Sequence, residues 1–211
     1  MRQSTEGAVA ELAALPFALL VEELQSDSQK LAFWINCYNA YYQILRTETD
    51  ARKPGIFRDE LISVAGIRWS LDDLEHGILR RFRYKYSLGY LPNLFVKRRI
   101  KQLAVEVLDW RIHFALNCGA KSCPPIAFYT PAELHTQLDL ATLSFLHGHT
   151  EVVEETRQIR ITSLFKWFLG DFGGPAGVRR ILEERLDLHT EGYELVYEAY
   201  SWDEDLANFA P

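Results

Sequence analysis

The run Leu31-Ala-Phe-Trp-Ile-Asn-Cys-Tyr-Asn-Ala-Tyr-Tyr-Gln-Ile-Leu45 most constrains the fold, because a helix built from it is apolar on nearly every face. A helix without a broad polar face has to be buried, so the rest of the chain must pack around it. With 211 residues, 48% of them hydrophobic, the chain is long enough to form that core. We predict a helix over residues 26–47, with Ser26, Asp27 and Ser28 as candidate caps.

The other segments predict a single, helix-rich α+β domain with a small, mostly antiparallel sheet. It comprises an N-terminal helical segment, residues 1–27, and a main part, residues 28–211, in one globular unit. Helical patterns cover residues 4–25 (with a break near Pro16), 70–82, 94–108, 130–148, 163–172 and 175–186, and extended patterns cover 64–69, 151–161 and 194–202.

Charge and composition narrow the functional classes. A net charge of −6 disfavours general nucleic-acid binding, and the basic runs 80–85 and 97–101 are typical of solvated helix faces or, second, of a site for an anionic partner. No apolar run reaches the roughly 18 residues of a membrane span, and residues 1–7 lack the apolar stretch of a signal peptide. We therefore expect a soluble, cytoplasmic protein. Three cysteines do not suggest a disulfide framework.

The stretch Arg111-Ile-His-Phe-Ala-Leu-Asn-Cys-Gly-Ala-Lys-Ser-Cys-Pro-Pro125 holds the densest set of chemical groups. As a strand, it would place Arg111, His113 and Asn117 on one face and Cys118 on the opposite, core face. A loop carrying Cys123 would follow. The polar face either lines a site or makes structural hydrogen bonds.

Two further pairs of polar residues need an explanation. Asn36 and Asn39 lie three apart on the buried helix and share a face, where they either form a structural hydrogen-bond network or orient a catalytic group or loop. Glu75 and His76 are adjacent on a helix, about 100° apart, so we expect that both cannot face one pocket. Three other histidines, at 135, 147 and 149, are expected on the surface.

One hypothesis from these residues is a cysteine-dependent hydrolase or acyl transferase. Cys123 would be the nucleophile and His113 the base, with His76 in reserve. The orienting group would be Asn117, Asn36 or Glu75.

Two positions near this candidate site carry further expectations. Pro124 keeps Cys123 out of a helix N-terminus, so Lys121 or a protonated His113 would have to lower its pKa. Arg111 would bind a carboxylate, either that of Glu75 or one on a ligand.

Two alternatives stay open. The first is a non-enzymatic binding or interaction domain in which the polar cluster is structural. The second is a thiol-redox or zinc site at His113, Cys118 and Cys123, with His76 or Glu75 as a further zinc ligand. We expect no cofactor for the hydrolase, and a small molecule or peptide as ligand. The sequence identifies no partner protein.

Four segments together resemble the "domain of unknown function 547" family (DUF547): residues 33–40, 70–80, 111–125 and 165–172. The resemblance runs from about residue 28 to the C-terminus. The tail at 200–208 departs from the family's usual Tyr-Asp-Trp-Ser-Leu-Asn. The family name assigns no activity, and by analogy of fold the resemblance suggests a distant relation to papain-like or transglutaminase-like hydrolases.

Overall fold

The central helix forms as its sequence predicts. A computed structural model describes residues 5–210, and in it α3 spans Asp27–Glu48. Ser26 caps this helix: its Oγ accepts from the Gln29 amide at 3.3 Å, and its own amide donates to the Gln29 side chain at 2.9 Å. Trp34 and Tyr42 on α3 are fully buried, so the apolar helix is the core element that its composition requires.

Shorter helices surround α3. The predicted break at Pro16 separates the first two, and the predicted start at Ser4 lies outside the described residues. The α-helices are α1 Thr5–Ala14, α2 Phe17–Glu23, α4 Gly55–Arg58, α5 Arg98–Leu103, α6 Leu134–Gly148, α7 Leu164–Trp167 and α8 Gly174–Leu186. A π-helix spans Asp73–Leu79, and 3₁₀ helices span Trp110–Phe114 and Glu154–Thr156.

The strands form two small sheets. β1 (Ile62–Val64) and β2 (Ile67–Trp69) pair as an antiparallel hairpin. In the second sheet, β3 (Thr150–Val153) and β4 (Gln158–Ile161) pair antiparallel around the predicted turn, and β5 (Glu194–Tyr197) lies parallel to β4. The helix-rich α+β class is confirmed.

The buried side chains form two clusters. The first surrounds α3 and includes the hairpin and the π-helix, whereas the second gathers aromatic and aliphatic side chains from α6, α7, α8 and β4. The 3₁₀ helix Trp110–Phe114 joins them, because Ile112 belongs to the first cluster and Phe114 to the second. The stretch singled out in the sequence therefore runs through the middle of the molecule.

The strand predicted at residues 111–118 is wrong. Asp109 caps a 3₁₀ helix instead: its side chain accepts from the Arg111 amide at 3.0 Å, and the Ile112 amide donates to its carbonyl at 3.2 Å. A 3₁₀ helix repeats every three residues, so the two-residue alternation that put Arg111, His113 and Asn117 on one face does not apply.

Three predicted helices are shorter than expected, and the one predicted over 163–172 is reduced to α7. The helix expected over 94–108 is reduced to α5. The helix expected from Thr130 begins four residues later, because the Thr130 amide bonds to the Gln137 side chain and three residues of turn precede α6. No helix within residues 5–210 has the length and apolar character needed to cross a membrane.

Candidate functional site

A cavity of about 340 Å³ lies between the two clusters and collects most of the chemically active groups. Its polar lining includes Cys118, Cys123, His113, His76 and Glu75. The rest of the lining is largely aromatic and apolar, with a few charged groups at the side: Tyr38, Pro54, Phe57, Arg58, Asp72, Lys85, Tyr86, Leu116, Pro124, Leu164, Trp167, Phe168, Tyr200 and Trp202. Four of the five residues predicted as catalytic thus meet in one place.

The loop that carries both cysteines is held by side-chain amides. Asn39 donates to the Ala115 carbonyl at 2.9 Å and accepts from the Asn117 amide at 2.9 Å. Asn117 in turn donates to the Pro124 carbonyl at 2.8 Å and accepts from the Gly119 amide at 2.7 Å. These bonds satisfy buried backbone groups and fix the path of the loop. They agree both with a structural hydrogen-bond network and with a role of Asn39 in orienting the loop.

Asn36 does the same one turn earlier on α3. Its amide nitrogen donates to the Tyr129 carbonyl at 2.8 Å, and its oxygen accepts from the Tyr129 amide at 3.0 Å. Asn36, Asn39 and Asn117 are absent from the cavity lining: Asn39 and Asn117 hold the cysteine loop from outside the cavity, and Asn36 holds the chain that follows it.

Cys123 has the most strongly stabilised thiolate environment in the cavity. Its Sγ lies 2.7 Å from the Cys118 Sγ, 3.1 Å from the Tyr200 hydroxyl and 3.0 Å from the Cys118 amide, which donates to it. The hydrogen bond from the Cys118 thiol lowers the pKa of Cys123, with the Tyr200 hydroxyl and backbone amides adding to it against the effect of burial.

The other two cysteines differ from Cys123. The same hydrogen bond raises the pKa of Cys118, which burial raises further. Burial alone raises the pKa of Cys37, within α3, to about 12. Of the three thiols, Cys123 ionises first.

A buried histidine–carboxylate pair lies on another side of the cavity. His113 Nε2 is 2.8 Å from Asp171 Oδ2, and the same oxygen accepts from Arg80 Nε at 2.6 Å. Burial lowers the pKa of His113, and the bonds from His113 and Arg80 lower the pKa of Asp171 although burial opposes them. His113 is thus neutral beside a carboxylate, with the proton on Nε2 and a lone pair on Nδ1.

His76 is also neutral, in the same tautomer. Its Nδ1 is 2.7 Å from Arg80 Nη1. Because an arginine only donates, Nδ1 is the acceptor and Nε2 carries the proton. Burial and then the Arg80 charge lower the pKa of His76 to about 3.

Glu75 shares the cavity lining with His76, so the expectation that the two could not face one pocket is wrong. The Arg80 amide donates to the Glu75 carbonyl at 2.8 Å, the five-residue spacing of a π-helix, whose wider turn separates adjacent side chains by a smaller angle. The Tyr38 hydroxyl donates to Glu75 Oε2 at 3.2 Å.

The family model described as "Protein of unknown function, DUF547" matches residues 21–146, more than half of the chain. The chain belongs to the DUF547 family. Neither a curated protein nor a solved structure matches it, and the suspected relation to papain-like or transglutaminase-like hydrolases stays a prediction. The matched range holds Glu75, His76, His113 and both cavity cysteines of this DUF547 chain.

Several expected positions are corrected by the structure. Cys118 packs against the first cluster as expected, but it is only half-buried and also lines the cavity, which the assignment to a core face did not predict. Arg111 binds carboxylates outside the cavity, Asp109 at 2.6 Å and Asp139 at 2.9 Å, and not Glu75. It pairs there because the 3₁₀ helix turns it toward α6. Of the three histidines expected on the surface, the one that differs is His149, which is half-buried against Phe145.

Sequence reasoning missed the partners of the active groups. Lys121 is exposed and His113 is neutral, so neither lowers the pKa of Cys123; Tyr200 and Cys118 do. Arg80 and Asp171 were also missed. Both lie inside segments that carry the family resemblance, 70–80 and 165–172. A charged residue inside such a segment is the sequence feature that could have indicated them.

Metal binding receives no support from the ligand geometry. Within residues 5–210, no group of three or more His, Cys, Asp or Glu side chains has a metal-binding arrangement. His113 faces Asp171 with its Nε2, whereas the sulfur atoms face Tyr200, so the three groups of the zinc alternative do not converge.

Proposed function

We propose that this DUF547 protein is a cysteine-dependent hydrolase or acyl transferase with Cys123 as its nucleophile and His113 as its base. The observation that carries the proposal is the set of bonds at Cys123 Sγ, which favour a thiolate inside a cavity that also holds a neutral histidine. Activated cysteine nucleophiles in proteins have this combination of lowered pKa and nearby imidazole.

The reaction would proceed in two steps. The Cys123 thiolate attacks the carbonyl carbon of an ester, thioester or amide, forming a C–S bond and a tetrahedral oxyanion. The oxyanion collapses, the bond to the leaving group breaks, and that group takes a proton from solvent, to which His113 returns one at the end of the cycle. Water, or an acceptor amine or alcohol, then attacks the thioester while His113 Nδ1 takes its proton, and the free thiolate is restored.

Neighbouring groups have defined roles in this scheme. The Cys118 amide and the Tyr200 hydroxyl are the donors beside the sulfur, where they would stabilise first the thiolate and then the oxyanion. Asp171 would hold the His113 ring and stabilise its charge when Nδ1 accepts a proton.

The residues at the sides of the cavity suggest a substrate class. Glu75 and His76 line it on the π-helix side and would orient a polar part of the substrate. The aromatic rings of Phe57, Tyr86 and Trp167 favour an acyl group with an apolar or aromatic side, on a small molecule or peptide.

In the described residues no hydrogen bond links a cysteine thiol to His113. His113 would therefore bond to the attacking water, amine or alcohol only when substrate occupies the cavity. Catalytic hydrogen bonds often tighten only in the substrate complex.

The test is an assay of wild type, Cys123→Ser, His113→Gln and Cys37→Ser against a panel of aryl esters, thioesters and peptide amides. We expect Cys123→Ser to abolish turnover with an unchanged circular dichroism spectrum, His113→Gln to reduce it by about 100-fold or more, and Cys37→Ser to leave it intact. Equal activity of Cys123→Ser and wild type would contradict the nucleophile role.

The short separation of the sulfur atoms favours a second candidate function, thiol–disulfide exchange. With Sγ atoms 2.7 Å apart, the Cys123 thiolate could attack a disulfide, release one thiolate, and be resolved by Cys118, which loses its proton. Cys118 and Cys123 would be oxidised to a disulfide and the incoming disulfide reduced to two thiols. Incubation with oxidised glutathione should then remove two hydrogens from the protein; a protein with all thiols still free would argue against this candidate.

A further inference from the structure

The segment of residues 81–101, called here the docking segment, exposes an unusual amount of apolar surface. Half of the large apolar side chains exposed within residues 5–210 lie in 12 consecutive positions of it: Tyr84, Tyr86, Leu88, Tyr90, Leu91, Leu94 and Phe95. Phe95 is 93% exposed and Leu94 78% exposed. Large apolar side chains exposed together in one short stretch of a folded protein indicate an interaction site.

These side chains are exposed on an ordered backbone. The Tyr84 amide donates to the Leu91 carbonyl at 2.9 Å, and the Leu91 amide donates to Ser87 Oγ at 3.1 Å. The Gly170 amide donates to the Leu88 carbonyl at 2.7 Å and ties the loop to the segment that carries Asp171. The fold therefore presents the apolar side chains outward in a fixed arrangement.

The docking segment also concentrates positive charge. It holds seven of the 23 Lys and Arg residues and none of the 29 Asp and Glu residues, in a chain of net charge −6. Four of these cations face carboxylates of other elements: Lys85 faces Asp72, Lys97 and Arg99 face Glu60 and Asp73, and Arg83 is 3.9 Å from Asp171.

The other three cations lack such a carboxylate. Arg81, Arg98 and Lys101 are exposed and have no ion pair within residues 5–210. Along the chain, the exposed apolar side chains are thus flanked by exposed cations that can meet an anionic surface.

We propose that the docking segment binds the surface of an anionic lipid bilayer. Leu94 and Phe95 would insert at the boundary between headgroups and acyl chains, the tyrosines would lie at headgroup level, and Arg81, Arg98 and Lys101 would face lipid phosphates. An anionic bilayer is the surface that needs both features at once, an aliphatic and aromatic patch and a border without acidic residues.

This site is independent of the proposed thiol chemistry, although the two regions touch. Lys85 and Tyr86 belong to the docking segment and also line the cavity. A docked segment would hold the cavity beside the lipid surface, where amphipathic acyl substrates are concentrated.

The test is cosedimentation with vesicles of phosphatidylcholine alone and of phosphatidylcholine mixed with phosphatidylserine. We expect wild type to bind the mixed vesicles, less at high salt, and not the neutral ones. The double variant Leu94→Ser/Phe95→Ser should lose at least tenfold in binding, and Arg98→Gln/Lys101→Gln should lose several-fold. The matched control is Phe128→Ser, because Phe128 is 78% exposed but lies outside the segment.

Three outcomes would overturn the proposal. They are no binding of wild type to the mixed vesicles, equal losses in Phe128→Ser and Leu94→Ser/Phe95→Ser, or equal binding to neutral and anionic vesicles. Sedimentation of the protein alone provides a further check: a dimer that Leu94→Ser/Phe95→Ser converts to a monomer, without vesicle binding, would assign the patch to a second copy of the chain instead.

Discussion

At the scale of single residues, the sequence indicated several groups that line the cavity but not their partners. Cys123 and His113 were predictable because residues 111–125 concentrate histidine, asparagine and cysteine, and Glu75 and His76 because they are adjacent titratable residues in a segment that carries the family resemblance. Tyr200 and Asp171 were not, because they lie 77 residues from Cys123 and 58 residues from His113 along the chain. Only the tertiary structure brings such distant groups within hydrogen-bond reach.

The buried neutral His76 should make stability depend on pH. Its pKa is about 3 in the folded protein, against about 6.5 in the unfolded chain, so between these values the unfolded state binds one more proton. We expect the free energy of unfolding to be highest above pH 6.5 and to fall as the pH drops toward 3. Burial of neutral His113 acts in the same direction.

Replacing His76 isolates its share of that effect. Urea unfolding of His76→Asn between pH 7 and pH 4 should show a loss of stability that is smaller than that of wild type by up to about 1.4 kcal/mol per pH unit. His147→Asn serves as control, since His147 is exposed. If wild type and His76→Asn lose stability in parallel, His76 is not held neutral in the fold.

At the scale of elements, the hydrophobic pattern correctly predicted the buried helix, but it gave the wrong structure where a side chain caps the backbone. The buried helix α3 followed from its composition and from Ser26. Residues 111–118 alternate like a strand, yet Asp109, two residues before that run, caps a 3₁₀ helix there. The π-helix could not be predicted either. Over seven residues, its extra residue per turn leaves the apolar pattern of an ordinary helix almost unchanged.

The cysteine loop depends on Gly119. This residue has φ of +67°, and a Cβ added there would lie 2.4 Å from a ring carbon of Tyr42, which is fully buried. Gly119→Ala should therefore combine backbone strain with overpacking of the core.

Gly66 provides a matched control, since it has φ of +69° but nothing within 4 Å of an added Cβ. We expect Gly119→Ala to lower the free energy of unfolding by about 1–3 kcal/mol more than Gly66→Ala does in chemical denaturation. Equal losses in the two variants would mean that Tyr42 does not constrain the loop.

At the scale of the whole molecule, the cavity exists because two side-chain clusters meet along residues 110–118. The sequence indicated a helix-rich α+β fold around α3, but it did not indicate two clusters, because contacts between distant segments leave no local pattern. The division into residues 1–27 and 28–211 stays a prediction. One buried ion pair links the two clusters: Arg80 lies at the end of the π-helix, and Asp171 lies just after α7.

Breaking that ion pair should destabilise the whole fold. Asp171→Asn leaves the fully buried Arg80 guanidinium without its counter-charge, and we expect a loss of about 3 kcal/mol in the free energy of unfolding. Glu151→Gln, in an exposed pair with Arg160, should change stability by less than about 1 kcal/mol. If both substitutions have the same small effect, the Arg80–Asp171 pair does not hold the clusters together.

The most direct test of Cys123 as an activated thiolate is the pH dependence of iodoacetamide alkylation at each cysteine of the native protein, resolved by mass spectrometry. We predict that Cys123 reacts fastest, with a midpoint well below the free-thiol pKa of about 8.5. Cys37 should stay unmodified as an internal control, since burial raises its pKa to about 12. If Cys123 reacts no faster than a model thiol, the nucleophile role is contradicted and the binding-domain interpretation takes its place.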